Sequence, residues 1–158
     1  MLYLASATLG PPQGKAESAS VAILKDPAEG ELILRGNPED LDARKQLLFF
    51  YVQTKQVDAY MRHVSWLAEN HPESAILDRA IFPVDPATPA TLTKFQAIWE
   101  RNIARNPTSP EVLLHAAHFF MFHDPQRAIK LLQQARVLEQ TEASHSVDLL
   151  GTIYAWAF

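Results

Sequence analysis

The amino-acid sequence predicts an all-α fold built from consecutive helix pairs, and three observations support this prediction. A short phrase that contains proline occurs three times, with its prolines separated by 34 and then 35 positions. The segments between these phrases repeat apolar residues at steps of three and four, which is typical of one face of a helix. No segment shows the convincing two-residue alternation of a strand. A period of about 34 residues is typical of helical arrays.

Composition limits the classes of protein to which the chain can belong. It contains 158 residues, of which 47% are apolar and 20% are charged, with a formal net charge of −4. This acidic balance argues against nucleic acid as a partner, because nucleic-acid-binding domains carry basic patches. No apolar run reaches the roughly 18 residues that a membrane span needs. The absence of cysteine excludes disulfides, thiolate zinc sites and cysteine nucleophiles.

The chain divides into an N-terminal segment, residues 1–20, and a helical domain, residues 21–158. Residues 10–20 are rich in glycine, proline, serine and alanine, a composition that is typical of a flexible tail. Residues 1–7 resemble the end of a secretory signal but lack its basic start and its full apolar stretch. We therefore expect either a tail or the remnant of a signal, and a cytoplasmic and an extracytoplasmic location both stay open.

The three proline phrases are predicted to be junctions between helices, near residues 37–40, 71–74 and 106–109. Proline disfavours helical backbone in the residue before it, so each phrase ends a helix. Two positions later stands an Asp or a Ser, whose side-chain oxygen can accept from the free N–H groups of the next helix. The prolines are Pro38, Pro72 and Pro107, and the capping residues are Asp40, Ser74 and Ser109. A fourth junction is expected near 141–144.

Caps and apolar stripes define seven helices in order, at about 28–36, 40–54, 57–70, 91–105, 110–122, 125–139 and 144–157. Asp26-Pro27, Asp40, Ser109-Pro110 and Asp124-Pro125 mark four of the starts, because proline is favoured at the first helical position. Steps of three and four identify the third, fourth and sixth helices, through Val57, Tyr60, Met61, Val64, Leu67 and Ala68, then Leu92, Phe95, Trp99 and Ile103, then Ala128, Leu131, Leu132, Ala135 and Leu138.

One repeat, around residues 76–90, is predicted to be irregular. A full helix is expected after Ser74, but Pro83, Pro86 and Pro89 interrupt the segment where it belongs. At most two helical turns fit before the first of these prolines. We interpret residues 81–90 as a rigid bridge, with a loop that contacts a partner as the alternative.

The last predicted helix contains the residues that indicate a family. Leu150, Gly151 and Tyr154 form the pattern L-G-x-x-Y, which resembles the first helix of a tetratricopeptide repeat. The preceding helix is similar to the second helix of that repeat, with Ala128 and Ala135 where two helices cross. Over residues 28–158 this resemblance implies an α-α superhelix of antiparallel helix pairs, a tetratricopeptide-like solenoid. It also implies a concave surface, lined mainly by first helices, that holds a peptide or a partner's helix.

The expected function is therefore that of a non-enzymatic scaffold that binds a protein or peptide of unknown identity. The register implied by the resemblance gives Lys45, Gln46, Gln53, His115 and His118 as partner-binding candidates. Trp66 is added because it lies one position off its apolar stripe, and tryptophan is enriched in binding hot spots. No catalytic residue, metal or cofactor is expected.

Two alternatives remain beside the scaffold. Glu111, His115 and His118 share one helical stripe, and residues of these types can ligate a metal ion in a helical enzyme. No second copy of the motif supplies partner carboxylates, so ordinary packing beside a repeat groove is favoured. The other alternative is a purely structural domain of a longer protein.

The C-terminal residues suggest an uncovered helix. The sequence ends on Tyr154, Trp156 and Phe158 separated by alanines, without the polar cap that terminal repeats normally carry. An exposed apolar surface of this kind marks an interface or an incomplete array. We expect either a fragment of a longer repeat protein or a protomer that self-associates through its C-terminal helix.

Overall fold

The computed structural model describes residue 24, residues 26–79 and residues 89–138 of the chain. These residues form six α-helices and no strand, which confirms the all-α prediction for this part of the molecule. The helices are α1 (Pro27–Gly36), α2 (Leu41–Gln53), α3 (Val57–Asn70), α4 (Pro89–Arg105), α5 (Pro110–Phe120) and α6 (Pro125–Leu138). Each agrees with its predicted bounds to within two residues. None of the described helices is long and apolar enough to cross a membrane.

The three junctions adopt the same backbone turn. The N–H groups of Asp40, Ser74 and Ser109 donate to the carbonyl oxygens three residues earlier, at 3.2, 3.0 and 3.2 Å. Two of the predicted caps are present, because Ala43 N–H donates to Asp40 Oδ1 at 2.9 Å and Val112 N–H donates to Ser109 Oγ at 3.3 Å. The repeated sequence phrase is therefore a repeated local structure.

Ser74 leads into a different structure from the other two capping residues. Its Oγ accepts from Ile76 N–H at 3.4 Å, and the chain continues as a turn and one short 3-10 helix, Leu77–Arg79, instead of an α-helix. Residues 75–79 therefore do not form an α-helix as the residues after Asp40 and Ser109 do. Residues 81–88 lie outside the described residues, and α4 begins at Pro89, two residues before its predicted start.

The described helices make their main contacts with their neighbours in the chain, and α5 and α6 form the most extensive pair. Small residues permit this close packing, because Ala116 and Ala117 on α5 and Ala128 and Ala135 on α6 have no exposed surface. The largest fully buried side chains come from every helix except α1 and include Trp99, Phe95, Leu47, Leu67, Leu113 and Leu132. One core therefore runs along the stack of helices.

A glycine lets α1 approach α2 closely. A Cβ atom on Gly30 would lie 2.7 Å from Leu24 Cδ1 and 2.8 Å from Leu47 Cγ. Such distances leave no space for a side chain, so α1 packs on α2 through bare backbone at this residue.

Several sequence predictions lie outside the described residues. They are the N-terminal segment 1–20, the junction near 141–144, and the helix 144–157 with Leu150, Gly151 and Tyr154. Self-association through that helix therefore stays a prediction.

Candidate partner-binding groove

A groove of about 390 Å³ opens between α1, α2, α3 and α4. Arg44 of α2 and Trp66 of α3 line it together with Glu31 of α1 and Lys94 of α4. We call it the Arg44–Trp66 groove. Its walls come from four consecutive helices, so its shape depends on how the helices stack.

Arg44 is a buried cation at the wall of the groove. Only 4% of its surface is exposed, and its guanidinium carbon lies 3.4 Å from the centroid of the Trp66 ring. Nη2 donates to the Pro38 carbonyl at 2.6 Å, and Nη1 donates to His63 Nδ1 at 3.1 Å. Burial lowers the pKa of Arg44, while Glu39 and Glu31 raise it. Because arginine stays protonated in proteins, the stack on Trp66 is a cation–π contact.

His63 is held in one neutral tautomer by its two partners. Its Nδ1 accepts from Arg44, so the proton is on Nε2, which donates to Glu31 Oε1 at 3.1 Å. Burial lowers the pKa of His63 below its ordinary value of 6.5, and the charges of Arg44 and Arg62 add to this, while Glu31 opposes it. The ring also stacks on Tyr51 with centroids 5.6 Å apart. His63 thereby joins the cation of α2 to the carboxylate of α1.

Glu31 collects three donors from two other helices. Its Oε1 accepts from Tyr51 Oη at 2.8 Å, Arg62 Nη2 at 2.9 Å and His63 Nε2 at 3.1 Å. Burial raises the pKa of Glu31, but the hydrogen bonds from Tyr51, His63 and Arg62 and the electrostatic attraction of His63 together outweigh burial and lower it. Burial and the hydrogen bond to Glu31 raise the pKa of Tyr51 to about 12. This network fixes α1, α2 and α3 relative to one another along one wall.

The rim of the groove is mainly cationic. Arg62 is 64% exposed and Lys94 58% exposed. The side chain of Arg35 is also exposed and makes no hydrogen bond or ion pair with the described residues. Lys94 Nζ lies 3.8 Å from Glu69 Oε1. With the buried Arg44, four cationic side chains and two carboxylates line the groove, although the whole chain has a net charge of −4.

The sequence candidates do not assemble into one surface. Trp66 lines the groove, but Lys45 and Gln53 are exposed on α2 away from it. Gln46 is half-buried, and its Oε1 accepts from Leu24 N–H at 2.9 Å. His118 is half-buried on α5, where burial and the neighbouring His115 lower its pKa. Of the six candidates, only Trp66 belongs to the groove.

His115 lies in the core instead of on an accessible surface. It is 3% exposed, Nδ1 lies 2.7 Å from the Pro72 carbonyl oxygen, and Nε2 lies 2.6 Å from Asp78 Oδ1. Both nitrogens therefore face oxygen acceptors, and the ring ties α5 to the irregular repeat. Glu111 is exposed and accepts from the Ser109 hydroxyl at 3.0 Å. The described residues contain no group of three His, Asp or Glu side chains that could hold a metal ion, so Glu111, His115 and His118 do not form a chelating set.

The central groups of the groove, Glu31, Arg44 and His63, were not among the sequence candidates. One signal for Arg44 is present in the sequence, because it precedes Leu47, Leu48 and Tyr51 by three, four and seven positions and so lies on their apolar stripe. A cation on a buried stripe indicates a paired buried charge. No comparable pattern in the sequence marks Glu31, which is linked to Arg44 through His63.

Comparison with protein-family models found no matching family, and searches of curated proteins and of solved structures found no match.

Proposed function

We propose that this chain is a non-enzymatic interaction scaffold that holds a peptide or another extended partner segment in the Arg44–Trp66 groove. The observation that supports this proposal most strongly is the groove itself, with a half-buried tryptophan over a fixed cation. Tryptophan and arginine are the residues that most often dominate binding energy at interfaces. Because the network around Glu31 already orders three helices, binding does not have to order this wall.

The same proposal includes a tetratricopeptide-like superhelix as the framework. Three junctions with one backbone turn, spaced by 34 and 35 residues, support a repeating helix pair. The main contacts between chain neighbours also support it, since each repeat in a solenoid packs on the next. In this framework no full helix among the described residues separates α3 from α4 along the chain, and these two helices pack against each other. Residues of both helices line the groove.

The test compares two aromatic truncations. Trp66→Ala removes the ring that lines the groove, whereas Phe49→Ala removes an exposed ring of α2 that does not line it. Proteins captured from cells that express the chain are purified, and their affinities for the wild type and both variants are measured by calorimetry. We expect a partner to bind wild type and Phe49→Ala equally and to lose at least about tenfold in affinity for Trp66→Ala, as is usual for a tryptophan hot spot.

Circular dichroism of Trp66→Ala establishes that the variant is folded before binding is compared. Lys94→Ala, an exposed change at the same groove, gives a second measurement that does not disturb the core. If every captured protein binds Trp66→Ala and Lys94→Ala as tightly as wild type, the groove is not the interaction surface and the proposal is wrong.

A further inference from the structure

We propose that the occupant of the Arg44–Trp66 groove is an acidic peptide segment with an apolar side chain that packs on Trp66. This inference rests on the proposed scaffold function and specifies the chemistry of the partner. It follows from the sign of the charges at the groove and from their exposure.

The rim charges favour an anionic occupant. Arg35 and Lys94 are exposed on two different helices that border the groove, and Arg62, which also lines it, is 64% exposed. The two carboxylates each pair with one of these cations, Glu31 with Arg62 at 2.9 Å and Glu69 with Lys94 at 3.8 Å. The excess positive charge of the groove therefore comes from the exposed Arg35 and the buried Arg44. A segment with several Asp or Glu residues therefore meets complementary charge, and a basic segment meets repulsion.

The floor favours an apolar contact at the centre of that segment. Trp66 is half-buried, and Leu34 and Pro38 line the groove near it without adding charge. The Arg44 guanidinium covers one face of the indole ring, and the His71 ring lies with its centroid 5.3 Å from that of the indole, so these two contacts fix the ring in place. A rigid aromatic surface within a cationic rim suits an apolar side chain flanked by carboxylates.

A polypeptide is favoured over a nucleic acid as the source of the negative charge. The chain as a whole has a net charge of −4, which repels a long polyanion outside the groove. A short acidic segment confines its charge to the rim cations and avoids that repulsion. Binding of a single-stranded oligonucleotide is kept as an outcome of the test.

The experiment selects peptides of about twelve residues from a random displayed library on the full chain, at low salt where exposed charges are least screened. We expect the selected peptides to be enriched in Asp and Glu around an apolar residue. Affinities of synthetic copies are then measured against the double variant Arg35→Glu/Lys94→Glu, and a loss of about tenfold is expected from reversing two exposed charges. Replacing the Asp and Glu residues of the peptide by Asn and Gln should weaken binding to wild type similarly.

The matched control is Lys130→Glu/Arg136→Glu. These residues are exposed on α6, outside the groove, and Arg136 lies in the last turn of its helix as Arg35 does. Both double variants change the net charge by the same amount. A difference between their peptide affinities therefore shows that the position of the charges matters and not the net charge alone. We expect the control to bind within about twofold of wild type, because distant exposed charges are screened by salt.

Each outcome separates the partner chemistry from the scaffold function. Selection of neutral or basic peptides, or equal weakening of peptide binding by the two double variants, would overturn the acidic occupant. If the selected peptides bind wild type but not Trp66→Ala, the scaffold function of the groove would still stand. Tight binding of a labelled oligonucleotide, sensitive to Arg35→Glu/Lys94→Glu, would replace the peptide with a nucleic acid. Selection of no peptide would also overturn this inference, while the capture experiment with Trp66→Ala decides the scaffold by itself.

Discussion

Gly30 is a residue at which one methyl group decides how two helices pack. In Gly30→Ala the new methyl would overlap Leu24 Cδ1 and the fully buried Leu47, and Leu47 cannot move without disturbing the core. We expect the free energy of unfolding to fall by about 1–3 kcal/mol, as in other overpacked cores. Urea titration followed by circular dichroism measures this change.

Gly36→Ala is the matched control for that substitution. A Cβ atom at this position would meet nothing within 4 Å, and the backbone does not have a positive φ. Alanine is the better helix former, so stability should be unchanged or higher by up to about 1 kcal/mol. If the two alanine variants have the same free energy of unfolding, the backbones of α1 and α2 do not approach each other this closely at Gly30.

The protonation of His63 makes stability depend on pH. Because its pKa is lowered below the ordinary 6.5, the unfolded chain takes up a proton at higher pH than the folded protein does. The free energy of unfolding should therefore fall as the pH drops below 6.5, by up to about 1.4 kcal/mol per pH unit for one proton. A protonated Nδ1 could no longer accept from Arg44, which gives this loss its structural cause. Urea titrations between neutral and mildly acidic pH measure the slope.

His63→Gln isolates that contribution. The amide can accept from Arg44 and donate to Glu31 without titrating, so the slope should decrease. It should not vanish, because the pKa of His118 is also lowered and acts in the same pH range. Glu31 affects the free energy of unfolding at lower pH than the histidines do. The stabilisation from its lowered pKa is complete above pH 4.5, and it is lost as the pH falls and the carboxylate becomes protonated. A wild-type slope in His63→Gln would contradict the lowered pKa of His63.

At the scale of the element, caps explain why the starts of α1, α2, α5 and α6 could be predicted. Asp26, Asp40, Ser109 and Asp124 each accept from an N–H group of the helix that follows, and three of those helices begin at a proline. These interactions are local, within three residues of the cap, so the sequence contains them in full. The groove is different, because Glu31, Arg44 and His63 meet only when three helices stack. A local pattern therefore predicts elements but not this site.

Ser109 provides the test of cap register. Ser109→Ala removes the acceptor of Val112 N–H at the start of α5, and stability should fall by about 0.5–2 kcal/mol. Thr108→Ala is the neighbouring control, since Thr108 is exposed in the turn and does not cap the helix. Urea unfolding of the two variants gives the ranking. A larger loss in Thr108→Ala would shift the junction by one residue.

At the scale of the whole molecule, the order of contacts predicts how stability is distributed. In a helical array each unit depends on its own packing and on its neighbours, whereas a single cooperative core responds everywhere to one change. The main contacts of the described helices follow chain order from α1 to α6, which favours the first behaviour. The proposed tetratricopeptide-like array thus has a consequence that can be measured on the folded protein.

Native-state hydrogen exchange distinguishes these two behaviours. Ala128→Leu overpacks the α5–α6 pair, since Ala128 has no exposed surface, and should cost about 1–3 kcal/mol. We expect faster exchange in the amides of α5 and α6 and unchanged exchange in those of α1 and α2. Gly30→Ala should give the reverse pattern, because its overlap is confined to Leu24 and Leu47. Equally faster amide exchange in all six described helices in both variants would instead indicate one cooperative unit. The proposed repeating array would then be wrong as the framework of the groove.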